Sequence, residues 1–104
     1  MADQTPTSKA LLDAVNSLEA AFVHRPYDEV LRTLDAISDD GGALQALAEA
    51  LEAAQERVSA NSDMDDMDDP GYELHTDLGY LAEEIDDRRK DVEERAKRAV
   101  AERG

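Results

Sequence analysis

From Glu73 to Arg103 the chain carries its longest uninterrupted helical pattern, and a helix of about 30 residues, about 45 Å long, constrains everything placed beside it. Leu74, Leu78, Leu81 and Ile85 recur at spacings of four, three and four, which aligns them on one face. Such a stripe predicts cover by other helices. From Arg88 onward the apolar material shrinks to Val92, Val100 and alanines among dense charge, a surface ill suited to an interior. Because a helix of roughly 16 residues reaches only about 24 Å, the long one is expected to overhang its neighbours, with its distal half solvated or packed on another copy or protein, the first being favoured unless the contacts are electrostatic.

Three shorter amphipathic segments precede it. Leu11, Leu12, Val15, Leu18 and Phe22 share a face over 8–23, with Thr7 or Ser8 placed to cap the first turn and residues 1–6 read as a disordered lead-in. Pro26 ends that segment and suits the first turn of a second helix over 27–38, carried by Val30, Leu31, Leu34 and Ile37. Asp39-Asp40-Gly41-Gly42 is a turn, and Leu44, Leu47, Leu51, Ala54 and Val58 predict a third helix over 43–58. Residues 59–72, with their run of aspartates and Pro70-Gly71, read as a mobile acidic loop. No strand-like alternation and no internal repeat is present. The expected class is all-α, a single-domain small four-helix bundle with a long charged C-terminal helix over 73–103.

A chain of 104 residues supports one core at most, and this one is poor in large apolar groups. Hydrophobic residues make up 41% of it, many of them alanine, and only 4% is aromatic, so stability is expected to be modest or shared with a partner. The absence of cysteine excludes disulfides, thiolate nucleophiles and Cys-ligated zinc, and agrees with a reducing, cytoplasmic setting. The first residues lack the basic-then-apolar pattern of a secretory signal, and no window approaches the roughly 18 apolar residues of a membrane span.

Net charge of −15 and a pI near 4.2 turn the molecule away from nucleic acid and anionic membranes and toward a protein partner, a basic one above all. The charge is uneven: residues 88–104 hold seven Lys/Arg against four Asp/Glu, whereas residues 1–87 hold four against 22. The plain explanation is that cations complement the C-terminal end of the helix dipole while pairs such as Glu94 with Arg98 and Asp91 with Arg95 support a solvated helix. The functional one places the basic end on the acidic surface of a second copy, in an antiparallel homodimer. Contact of Arg88, Arg89, Lys90, Arg95, Lys97 and Arg98 with phosphates is disfavoured by the acidic body. The residues singled out for partner binding are Asp63, Asp65, Asp66, Asp68, Asp69, Tyr72, Tyr80, Arg88, Arg89, Arg95 and Arg98. Tyrosine suits interfaces because it joins area to a polar tip, although finishing a small core is the plainer role for these rings.

Tests for chemistry return little. Threading Asp66 to Asp77 on the twelve-residue calcium loop puts Pro70 fifth, Leu74 ninth and Asp77 in place of the bidentate glutamate, a poor fit. His24 and His75 are far apart in sequence, His75 has Leu78 and Gly79 at helical metal-site spacing, and no serine sits in a nucleophile setting, so no metal site, cofactor or catalytic residue is assigned. The expected function is a non-catalytic protein–protein interaction module: an adaptor, regulator or assembly factor. The alternative is an inhibitor whose carboxylates imitate nucleic-acid phosphates and occupy a basic cleft. Acidity from adaptation to high salt, with no partner at all, is the third explanation.

Overall fold

The computed structural model describes residues 4–103, so positions 1–3 of the expected lead-in lie outside the described residues. Helix α1 (Pro6–His24) begins earlier than position 8, because Thr5 and Ser8 cap it reciprocally. The Ser8 N–H donates to Thr5 Oγ1 at 3.0 Å and the Thr5 N–H to Ser8 Oγ at 2.9 Å. Pro6 then fills a first-turn position that needs no N–H. Helix α2 (Tyr27–Ser38) starts after Pro26, with Asp28 and Glu29 at its positive end. Helices α3 (Ala43–Ala60) and α4 (Pro70–Arg103) complete the chain, and no strand occurs among the described residues.

The break between α2 and α3 requires glycine twice. Gly41 has a φ of 78°, the left-handed region, and a Cβ on Gly42 would stand 2.5 Å from the Ala36 carbonyl oxygen. After the break, α3 continues in the direction α2 was travelling. Tyr27 and Asp28, at the start of α2, meet Arg103; Ser38, at its end, meets Arg89; Gln55 in α3 reaches His75. So α2 and α3 lie end to end, antiparallel to α4. Their 12 and 18 residues span about 18 and 27 Å against about 51 Å for the 34 residues of α4. The expected overhang is thereby corrected: α2 covers the distal half of α4, which is packed and not solvated.

The positions of α4 that face this broken arm are His75, Gly79, Ala82, Asp86, Arg89, Glu93, Ala96 and Val100, every one buried or half-buried. They alternate by four and three, the 3.5-residue repeat of a coiled-coil seam. Ala82, 1% exposed, and Ala96 are small, and Ala48 is the buried residue of α3, so the arms approach closely. The broken arm contributes Leu31, Asp35 and Ser38, then Ala48, Leu51, Gln55 and Val58.

The expected four-helix bundle does not form, since three helices pack together and α1 packs along none of them. The two residues joining α1 to α2 explain the departure. Arg25 and Pro26 are both extended, with ψ of 159° and 148°, and they lead α1 away from the hairpin. The radius of gyration is accordingly 17.0 Å, against about 13 Å for a compact chain of this length.

Candidate interaction surface

Antiparallel geometry decides which side chains share a side of the hairpin. Stepping back one residue along either arm rotates by about 100°, and because the arms run in opposite directions, both steps lead to the same side. The Lys97–Asp39 ion pair, at 3.2 Å, agrees: Lys97 follows seam residue Ala96 and Asp39 follows Ser38.

The side reached by stepping back carries Tyr27, Val30, Leu34 and Ile37 on α2, and Leu47, Ala50, Ala54 and Arg57 on α3. On α4 it carries Leu74, Leu78, Leu81, Ile85, Arg88, Val92, Arg95 and Ala99. No carboxylate is among them. Leu74 and Leu81 are 50% and 48% exposed, and Leu47 and Val92 are exposed as well. The leucine stripe of α4 is therefore not its packing seam but an apolar shoulder beside it, open to solvent. The opposite side presents Glu29, Asp39, Glu49, Glu52, Glu56, Glu83, Asp87 and Glu94, with Arg32, Lys90 and Lys97 between them. A second uncovered apolar surface lies on α1, where Leu11, Leu12 and Val15 are exposed and Leu18 and Phe22 half-covered.

Among the described residues, only four hydrophobic side chains are buried, Leu31, Ala48, Ala82 and Ala96. Charge closes the distal half instead. Arg89, 3% exposed, donates to the Ser38 carbonyl at 3.2 Å and pairs with Asp86, Asp40 and Glu93 at 3.0, 3.1 and 3.3 Å. Burial opposes its charge, but the hydrogen bonds and attraction of Asp86 and Asp40 outweigh that, and the guanidinium is held above the usual arginine range. Ser38, buried beneath it, donates to the Leu34 carbonyl at 2.6 Å. Lys97 bridges Asp35, Asp39 and Glu93 at 2.8, 3.2 and 3.4 Å. The hydrogen bond to Asp35 leads in raising Lys97 above the ordinary lysine range, and the hydrogen bond from Lys97 leads in lowering Asp39.

The acidic loop spends much of its charge on its own backbone. Asp63 accepts from the N–H of Asp65, Asp66 from that of Asp68, and Asp69 from those of Asp63 and Gly71. The bonds to Asp65, Asp68 and Gly71 are Asx turns, the last also capping α4, while the Asp63 amide reaches Asp69 across the loop; the Asp63 and Gly71 amides hold the Asp69 carboxyl below its usual range. Among the described residues no group of three or more His, Cys, Asp or Glu side chains could hold a metal ion.

The residues singled out from sequence do not gather at one place. Asp63, Asp65, Asp66 and Asp68 are exposed at the loop, Asp69 and Tyr72 are half-covered beside it, and Tyr80, 68% exposed, stands on the acidic side. Tyr27 is also exposed, stacked beneath Arg103 at 5.0 Å, so neither ring finishes a core. Arg88 pairs with Glu84 at 2.8 Å and Arg98 with Glu94 at 3.3 Å, both exposed, and Arg95 is exposed on the apolar side. Arg89 is enclosed and satisfied within the chain. Sequence reasoning missed the apolar shoulder, because its leucines were assigned to the interior; the coiled-coil spacing of small and charged residues one position further on was the available signal.

No family model, curated protein or solved structure matches the chain. No helix among the described residues is long and apolar enough to cross a membrane.

Proposed function

We propose that this chain is a small helical protein–protein interaction module, an adaptor, regulator or assembly factor that performs no chemistry and works in the cytoplasm. The observation that carries the reading is the sorting of the hairpin surface: an acid-free apolar side left half-exposed on a chain of net charge −15. Solvated leucines in a continuous row are costly unless another surface covers them, and extended exposed apolar patches mark interaction sites. A comparison of captured proteins tests this. The chain and a Leu81→Glu variant serve as baits at equal helix content, and a protein held by the first and lost by the second is expected; identical captures refute the reading.

The second reading, an inhibitor that imitates nucleic-acid phosphates, is supported by the opposite side, where Glu49, Glu52, Glu56, Glu83, Asp87 and Glu94 stand in rows. The loop aspartates add little to it, since Asp63, Asp66 and Asp69 are engaged with backbone amides. A basic partner released by salt and by Glu49→Gln with Glu52→Gln, yet indifferent to Leu81→Glu, would select this reading over the first.

A further inference from the structure

We infer that the acid-free side of the hairpin is a homodimer interface, covered by the same side of a second copy. The inference rests on the interaction-module reading and names the partner. Three observations carry it.

The first is size. The side runs the length of α4, about 51 Å, and is two helices, roughly 20 Å, wide, giving on the order of 1,000 Å² per copy, where a standard interface needs about 800 Å² per partner. The second is charge. With −15 on each copy, two chains meet best where carboxylates are fewest, and the rows beside the seam have none: their charges are Arg57, Arg88 and Arg95, while Asp77, Glu84 and Asp91 stand at the outer edge of α4, Glu84 tied to Arg88. The third is the state of the interior. Leu34, Ile37, Leu78 and Ile85 are half-covered in the lone hairpin, and apposing two such sides would bury them between two helical layers. A two-fold axis brings each row of leucines against its own copy, which demands no second gene product.

This dimer differs in sign from one built by the basic end of α4 on acidic surface. Apolar contact between two strongly acidic chains tightens as salt screens their repulsion, whereas a charge-matched pair loosens. Sedimentation equilibrium of the full chain, from about 1 µM to about 100 µM and from roughly 0.05 M to roughly 0.5 M NaCl, decides between them. The expected result is a mass twice 11.4 kDa, a dissociation constant that falls with salt, and a melting temperature that rises with protein concentration. Leu81→Glu and Leu74→Glu, each present twice in the dimer, are expected to raise the dissociation constant at least about 30-fold with helical circular dichroism retained. Should both variants unfold, the concentration dependence of wild-type melting still decides.

A monomer at every concentration with concentration-independent melting overturns the inference. So does a dimer that ignores both substitutions but is lost in Val15→Glu, which would place the contact on α1, and so does a dimer loosened by salt. A monomer whose Leu81→Glu variant nonetheless loses a captured protein would sink the second copy and leave the interaction module standing.

Discussion

The two halves of α4 invert the usual relation between polarity and burial. The proximal half owns Leu74, Leu78, Leu81 and Ile85, yet Leu74 and Leu81 are about half exposed; the distal half is mostly charge, yet encloses Arg89 and Ala96. The difference lies in what each half meets. The proximal half packs on α3 through His75, Gly79 and Ala82, a seam so thin that its leucines are left beside it. The distal half faces the α2–α3 break, where the Ser38 carbonyl and three carboxylates supply the partners a buried guanidinium requires. Helices can thus be joined by narrow contact or by ionic clasp, and the first leaves the larger apolar surface for something else.

Removing the clasp should have the largest effect. Arg89→Ala leaves Asp40, Asp86 and Glu93 facing one another around a vacated site, and the melting temperature at fixed protein concentration should drop on the order of 10 °C. A drop no larger than that of an exposed arginine such as Arg98→Ala would deny the distal half its ionic core.

One substitution at two positions probes the proximal half next. Ala82→Leu wedges the seam apart and should cost about 1–3 kcal/mol in denaturant unfolding, whereas Ala54→Leu, on the open shoulder of α3, should stay within about 0.5 kcal/mol or stabilise. Equal costs would show that seam and shoulder have been assigned the wrong way round.

Smaller shifts sharpen the ionic side. Lys97→Gln should lower melting by about 2–4 °C at neutral pH. Because the folded-state pKa of Lys97 is raised, its contribution is fully present below the ordinary lysine value and fades only as pH rises through the higher folded one. The loss should therefore be flat from roughly pH 6 to 9.

Acid reports the smallest effect. Asp39 and Asp69 have lowered folded-state pKa values, so their contribution is present above the usual aspartate value near 3.9 and is lost as pH falls through the lower folded one. Asp69→Asn should lower melting by about 1–2 °C at neutral pH, and the difference should shrink as pH falls below the usual aspartate value. A difference that does not shrink in acid would mean that the cap acts through shape and not charge.

Much of the architecture was written locally. Pro26, the Asp39-Asp40-Gly41-Gly42 turn and the aspartate-rich loop after Ala60 separate four helices whose ends lie within a few residues of those read from spacing and turn chemistry, although Pro70-Gly71, read as part of the loop, open α4 instead. The all-helical class followed from the same signals. The all-or-none assumption that apolar stripes face inward is what failed, and it misplaced Leu74, Leu81, Leu11 and Val15 together.

Sequence by itself settled where this chain is helical and how its charge is distributed, because propensity, capping and net charge are local or additive quantities. Tertiary structure alone decided which stripe of α4 meets the other arm, that Arg89 is interior while Leu81 is not, and that α1 stands apart. Those outcomes depend on how far each helix is rotated about its axis and on partners distant in the chain, such as Ser38 and Asp40 for Arg89. A one-residue change in that rotation, about 100°, exchanges the seam for the shoulder while leaving every local signal unchanged.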